Sequence, residues 1–273
     1  MKILFKFNYI SYYMIIIKLG GSVITNKSKL NSLNTDNINR LASEIKKANK
    51  KAIIIHGAGS FGHIHAKKYD LNNGFKDTKQ IMGFAETHVN VQKLNTKVIE
   101  LLQRNCIPAV SISPHSIMKL DNHKPIKFDY DIFKDCLKQG FMPVSFGDVV
   151  LDKTLGFSIC SGDLLVQILS KNFKIEKTVF VIDEDGLYSS NPKIDKKAKF
   201  IVSSTIEDLE KLSVSMDSHP DVTKGMKGKI DTIKNIAEEG IDTYLLNGNK
   251  PGTLYKVLIG ESTKCSKVIG VKK

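Results

Sequence analysis

The stretch Ile53-Ile54-Ile55-His56-Gly57-Ala58-Gly59-Ser60-Phe61-Gly62-His63 runs from β-branched residues into a glycine-rich turn, then into a helix-competent segment through His65, Ala66, Lys67, Lys68 and Tyr69. Strand, glycine turn and helix together present bare backbone N–H groups and a helix N-terminus to an anion. Glycine is the residue for such a turn because a Cβ blocks close approach and disfavours positive φ. A left-handed turn with no ligand is the competing reading, since glycines also serve ordinary turns. His63 favours the anion, because an imidazolium can donate a charged hydrogen bond to whatever the amides hold.

Outward from this stretch the pattern repeats. Met14–Leu19 reads as a buried strand ending at Gly20-Gly21-Ser22, and Asp36–Lys50 carries Ile38, Leu41, Ile45 and Ala48 at helical spacing, with Thr35 or Asp36 as its cap. Ala52–His56 is the next strand, Lys79–Arg104 one long helix, Ile107–Ile112 a strand, and Pro125–Asp131 a small hairpin edge. Ile132–Gln139 forms a helix closed by Gly140. Met142–Phe146 is a strand ending at Gly147-Asp148, and a turn at Asp152–Phe157 leads to Ser161-Gly162-Asp163 and the helix Leu164–Asn172. The strand Thr178–Ile182 ends at Asp183-Glu184-Asp185-Gly186. Helices Thr205–Lys211, Gly228–Glu239 and Asn249–Ile259 follow, with strand Asp242–Leu246 between the last two. Strands that alternate with helices predict an α/β chain with a mostly parallel central sheet covered on both faces. Such sheets bind ligands at the carboxyl ends of their strands, where the glycine and aspartate clusters here fall.

The totals narrow the partners. The 273 residues suit one large domain or two small lobes, and the core needs no disulfide staples. Cys106, Cys136, Cys160 and Cys265 have neither metal-like spacing nor a paired pattern, so a reduced, cytoplasmic compartment is expected. A net charge of +13 invites a nucleic-acid partner, yet Arg40 and Arg104 are the only arginines and the lysines are scattered. Gripping phosphates and reading bases usually recruits the arginine fork. A lysine-rich solvated surface that attracts anionic small molecules is the better reading. No run is long enough to span a membrane. Met1–Tyr13 is apolar and aromatic but is interrupted by Lys6 and Asn8 and lacks a cleavage site. Met14 stands directly before the first strand, so residues 1–13 are expected to be an extension and translation to begin at Met14.

Two familiar motifs nearly match. Gly57-x-Gly59-x-x-Gly62 has the dinucleotide-fingerprint spacing, but Asp77 and Glu86, near the distance of the ribose-binding acid, follow no strand. Gly21-Ser22-Val23-Ile24-Thr25-Asn26-Lys27-Ser28 is one residue from a phosphate-binding loop, with Asn26 in place of the second glycine. The lysine remains of interest.

In chain order the phosphate-friendly elements are Lys18-Leu19-Gly20-Gly21-Ser22, Lys27, Gly57–His63, Ser161-Gly162-Asp163, Asp183–Gly186 with Asn191-Pro192, and Thr223-Lys224-Gly225-Met226-Lys227-Gly228-Lys229. This ordered set resembles the amino acid kinase superfamily. Thr25-Asn26-Lys27 with Ser60-Phe61-Gly62-His63 most resembles its isopentenyl phosphate kinases. The resemblance runs from about Met14 to the C-terminus. It implies a three-layer αβα sandwich with an acceptor lobe at about 14–155 and a nucleotide lobe at about 156–273. It also implies a homodimer, Mg²⁺, and transfer of the ATP γ-phosphoryl group to isopentenyl phosphate in isoprenoid biosynthesis. A kinase acting on a phosphonate such as fosfomycin, and a nucleotide sensor that has lost catalysis, are the alternatives. The presence of Lys18, Lys27, Asp163 and Lys229 speaks against the sensor.

Carried over by position, the resemblance makes Lys18 the lysine that bridges the transferring phosphate beside the backbone of Gly20, Gly21 and Ser22. Lys27 stabilises the transition state, Lys229 approaches the β and γ phosphates, and Asp163 holds the lysines in register. Asp183, Gly225 and Gly59 join the ATP contacts. His63 binds the acceptor phosphate with Ala58, Gly59, Gly62 and Gly162. Phe84 walls the isoprenoid tail, with Ile81, Met82 and Val89 as candidates to share that wall or to pack in the core. No metal ligand is assigned. His56 is read as a strand-end packing residue, and His65 and His88 as surface or loop-facing. Three positions depart from the pattern: Ala58 and Lys224 stand where glycine is usual, and Leu164 replaces a second acid after Asp163. Ala58 is tolerable if its φ is negative. The chemistry suits such a site, because a phosphate monoester is already anionic at neutral pH and needs cations and amides rather than a base.

Overall fold

Successive residues of the first strand pack on opposite sides of one sheet, as the period of two requires. In the computed structural model, which describes residues 13–26, 29–217 and 224–272, Met14 and Ile16 belong to one apolar cluster and Ile15, Ile17 and Leu19 to another. The strands are β1 (Met14–Leu19), β2 (Ala52–His56), β3 (Ala109–Ser111), β4 (Met118–Asp121), β5 (Lys124–Phe128), β6 (Met142–Phe146) and β7 (Asp148–Asp152). They continue with β8 (Gly156–Cys160), β9 (Ile175–Ile182), β10 (Leu187–Tyr188), β11 (Phe200–Ile201), β12 (Ser203–Ser204), β13 (Asp242–Asn247) and β14 (Ser266–Val268). The helices are α1 (Gly21–Ile24), α2 (Thr35–Ala48), α3 (Gly59–Lys68), α4 (Lys79–Arg104), α5 (Pro114–Ile117), α6 (Asp131–Lys138), α7 (Gly162–Asn172), α8 (Ile206–Asp217), α9 (Lys224–Glu238) and α10 (Thr253–Ile259).

Eight strands form the main sheet in the order β12-β14-β13-β9-β1-β2-β6-β3, parallel except where β14 meets β13. Ile38, Leu41, Leu94, Val98 and Leu254 bring α2, α4 and α10 onto one face; Phe133, Leu165, Leu209 and Ile233 bring α6, α7, α8 and α9 onto the other. The result is the expected αβα sandwich. Strand β1 sits between β2 and β9, with Lys18 opposite Ile55 and Phe180. The three carboxyl ends therefore open side by side at the top of the sheet. Among the described residues no helix is long and apolar enough to cross a membrane.

A second sheet, β5-β4-β7-β8, projects beside α4. Here the sequence reading needs correction. Pro125 belongs to the second strand of a hairpin whose first strand is β4, turning at Asn122 and His123 with positive φ. The cap of α2 is Asn34, whose side chain accepts from the Asn37 N–H, rather than Thr35 or Asp36. The last helix starts at Thr253, after left-handed Gly252, because residues 249–252 form a turn.

Asp152 ties the second sheet together. Its carboxylate accepts from the backbone N–H groups of Asn122, His123, Thr154 and Leu155 and from the Ser158 hydroxyl. Burial alone pushes this carboxyl up, but those donors outweigh it and bring its pKa down from 3.8 to about 2. The folded value lies below the unfolded one, so the stabilisation is present above about pH 4 and is lost as pH falls toward 2. Asp152→Ala is expected to cost about 3 kcal/mol, because four amides lose a charged acceptor. Thermal melts at neutral pH and at pH 3 check this, the deficit of the variant shrinking at the lower pH.

Candidate active site

Lys18 is the fifth residue of β1, where the sheet has buried the chain but the strand end opens upward. Its Nζ stands 2.8 Å from Asp163 Oδ1, and Lys229 Nζ stands 2.8 Å from Asp163 Oδ2. Three residues from distant parts of the chain thus meet in a lysine–carboxylate–lysine clamp. Asp163 enters from the first turn of α7, a helix capped by Ser161, whose hydroxyl accepts from the Leu164 N–H. Lys229 enters from α9, and both ammonium groups lie over the Phe180 ring, at 5.9 and 5.3 Å from its centre. Burial pushes the Asp163 carboxyl up, yet the charges of Lys18 and Lys229 overcome it and hold the group well below the usual carboxylate range. For Lys229, burial and the neighbouring Lys18 charge bring the ammonium down from 10.5 to about 8 despite Asp163. One carboxylate serves two cations, which leaves a net positive charge aimed at an anion.

The glycine turns after β1 and β2 touch backbone to backbone. A Cβ built on Gly21 would lie 2.6 Å from the Gly59 N, so neither turn tolerates a side chain there. Gly59 has a φ of +50°, and its own Cβ would strike the Thr25 hydroxyl at 2.3 Å. Ala58, the departure at this turn, has a φ of −71° and so carries its methyl without strain. Thr25 is buried at the junction: its hydroxyl donates to Gly21 O at 2.7 Å and accepts from the Ser60 N–H at 3.0 Å.

These turns, the N-termini of α3 and α7, and the clamp surround a cavity of about 740 Å³. Lys18, Gly20, Gly21, Ser22, Ala58, Gly59, Gly62, His63, Gly162, Asp163, Asp183 and Lys229 all line it, which brings together most of the residues singled out in the sequence. Asp183 accepts from the Ser22 hydroxyl at 2.9 Å and pairs with Lys193, which also reaches Glu184. Gly225 lies in the first turn of α9, one residue before the lining residue Met226. Lys27 lies outside the described residues.

Two groups of expectations change. Phe84 does not line the cavity; it packs behind it, its ring 5.2 Å from that of Phe157 and 5.6 Å from that of His115. Apolar residues that do line it include Ala66, Val91, Val149 and Ile159, two of them on the second sheet, which helical spacing along α4 could not reveal. Ile81, Met82 and Val89 are exposed, on the outer side of α4. Among the histidines, His56 is a packing residue as expected: it stacks on Phe146, its Nε2 meets Asn95, and burial brings its pKa down from 6.5 to about 4. His65 stands on α3 within 3.3 Å of Asn90. His88 faces inward to Asp148 at 2.9 Å rather than to solvent or a loop. Ser161 and Met226 belong to the motifs singled out in the sequence and Asp148 to a cluster at a strand end, whereas Phe180 is buried in its strand and gives no local signal.

Lysines converging above a parallel sheet, beside two helix N-termini, suit a site for moving a phosphoryl group between two anions. Comparison with known proteins agrees. Residues 14–247 match the amino acid kinase family, and the chain belongs to that family. It is an ATP-dependent kinase. An isopentenyl phosphate kinase of Methanothermobacter thermautotrophicus is 37% identical over 266 residues, covering 94% of this chain and 99% of the relative. One from Methanocaldococcus jannaschii is 37% identical over 260 residues, covering 90% and 95%. An X-ray structure of isopentenyl phosphate kinase superposes with a TM-score of 0.83 at 34% identity, covering 94% of this chain and 100% of the other.

Proposed function

We propose that this chain transfers the γ-phosphoryl group of ATP to isopentenyl phosphate, giving isopentenyl diphosphate and ADP for isoprenoid synthesis. The observation that carries this reading is one cavity with a cationic clamp at its centre and an apolar wall of Ala66, Val91, Val149 and Ile159 on the side of His63. A phosphate with a short hydrocarbon tail matches those two surfaces, and the relatives named above act on such a compound.

A phosphate oxygen of the acceptor attacks the γ phosphorus, a new P–O bond forms, and the bond to the β–γ bridging oxygen breaks as ADP leaves. No proton need be abstracted, since the attacking group is already an anion. Ala58, Gly59 and Gly162 amides with His63 hold the acceptor phosphate, Gly62 letting the helix pass close. Lys18 and Lys229 release part of their hold on Asp163 to the transferring group, while Asp163 keeps both ammonium groups in place. Gly20, Gly21, Ser22, Asp183 and Gly225 frame the nucleotide. Lys27 adds charge to the transition state by analogy of position.

Among the described residues there is no cluster of three or more metal-ligating side chains, and Asp163 and Asp183 are already paired with lysines. That chemistry fits a Mg²⁺ carried mainly by the nucleotide phosphates, where it neutralises their charge. The acceptor lobe is assigned to residues 14–155 and the nucleotide lobe to 156–273, in a cytoplasmic homodimer; light scattering at twice the 30.4 kDa chain mass checks the pairing.

The reading is tested by a coupled assay of ADP release across isopentenyl, dimethylallyl and geranyl phosphates and fosfomycin. Isopentenyl phosphate is expected to give the highest kcat/KM. Faster turnover of the phosphonate overturns the assignment, and ATP binding with no transfer to any acceptor makes the protein a sensor.

A further inference from the structure

One carboxylate in the cavity wall, paired with a histidine, has no part in the reaction above. Asp148, the first residue of β7, lines the cavity, yet its side chain is 0% exposed. It follows Gly147, where a Cβ would lie 3.3 Å from the Gly162 N and 3.6 Å from the Ala58 N, the amides assigned to the acceptor phosphate. Its Oδ1 accepts from the Val149 N–H at 2.8 Å, and His88 Nδ1 lies 3.1 Å from Oδ1 and 2.9 Å from Oδ2. A buried carboxylate on the wall of an anion site is a liability. It repels the ligand unless a cation is held against it.

We propose that His88 is a charge-compensating residue, whose imidazolium neutralises Asp148 so that the nearby amides can accept the acceptor's phosphate. The inference rests on the placement of that phosphate given above. Asp148 in turn fixes the Gly147 turn through the Val149 amide, so it cannot be exchanged for an apolar residue without loosening the nest. His88 lets the site keep the turn without the charge. Its hydrogen bond to Asp148 raises the imidazole pKa, against the opposing effect of burial, which favours the cationic partner that the geometry calls for. Of the other titratable groups, His115 on α5 has its ring 4.7 Å from that of His88, Cys160 on β8 lies opposite Asp148 in the strand register, and His63 on α3 lines the same cavity. Burial and the Asp148 charge push the Cys160 thiol up, so it stays neutral.

The test is a double-mutant cycle read by calorimetric titration with inorganic phosphate, alongside turnover of isopentenyl phosphate. His88→Gln keeps a donor and removes the charge; phosphate Kd and acceptor KM are expected to rise about tenfold, with KM for ATP unchanged. Asp148→Asn should bind phosphate within about twofold of wild type, and the double variant should return to that level. If His88 only supports packing, the double variant stays as weak as His88→Gln, and the proposal falls. It also falls if His88→Gln binds phosphate like wild type. Should His88→Gln fail to fold, His88→Asn takes its place in the cycle: weakened phosphate binding that Asp148→Asn restores supports the proposal, and weakening that is not restored overturns it. Since the titration uses inorganic phosphate, it decides the role of the pair even if wild type does not phosphorylate isopentenyl phosphate.

Discussion

Lys229→Ala is expected to lower kcat/KM for ATP by about 10²–10³-fold, the usual cost of about 2.7–4 kcal/mol for losing one preorganised charge donor in a transfer site. The loss should fall mainly on nucleotide use, because Lys229 comes from α9, in the proposed nucleotide lobe. A pH dependence separates this from a general disturbance. With its pKa brought down to about 8, Lys229 is a cation below that pH and loses its charge above it. The protonated form is the active one, so kcat/KM for ATP should decline as pH rises through 8, reporting the free enzyme. Bound phosphates favour the ammonium, so kcat should hold to higher pH. Lys229→Arg, charged throughout, should lack the decline whatever its absolute rate. Steady-state rates between pH 6.5 and 9.5 check all three statements.

The second large effect is expected at His63. Removing its imidazole in His63→Ala should lower kcat/KM for isopentenyl phosphate by about 10²-fold, in the range of a charge-assisted hydrogen bond to a phosphate, with KM for ATP within about twofold of wild type. His63 lies on the exposed side of α3 where that helix lines the cavity, so the variant should fold normally. His63→Gln, which keeps a donor but no charge, should fall between the two. An acceptor KM and turnover equal to wild type in His63→Ala would remove this residue from the site.

Much of this arrangement is legible in the sequence because strong local patterns decide it. The bounds of β1, β2, β6 and α4 coincide with those read from apolar runs and helical spacing, and the glycine turns fall at strand ends as expected. What local pattern cannot carry is pairing across the chain. Lys18, Asp163 and Lys229 are joined by fold, and only the order of motifs shared with a known family placed them together. Only the second strand of hairpin β4–β5 is legible in the sequence, since Met118–Asp121 alternates buried and exposed over too short a length to announce a strand. His88 was misplaced for a related reason: a histidine on an amphipathic helix looks outward unless one knows that a buried carboxylate on another sheet faces it. The rings of Phe157 and His115 that Phe84 packs against come from other elements, and helical phase along α4 does not disclose them.

The contact between Gly21 and Gly59 has a consequence for how such an enzyme can diversify. The two loops proposed to frame the reactants meet through main-chain atoms, so the spacing between them is not set by any replaceable side chain. Drift in the surrounding sequence can reshape the chamber for an alkyl phosphate with a bulkier or shorter tail while the gap between giver and taker stays constant. New acceptors are therefore open to this scaffold, whereas a longer reach is not.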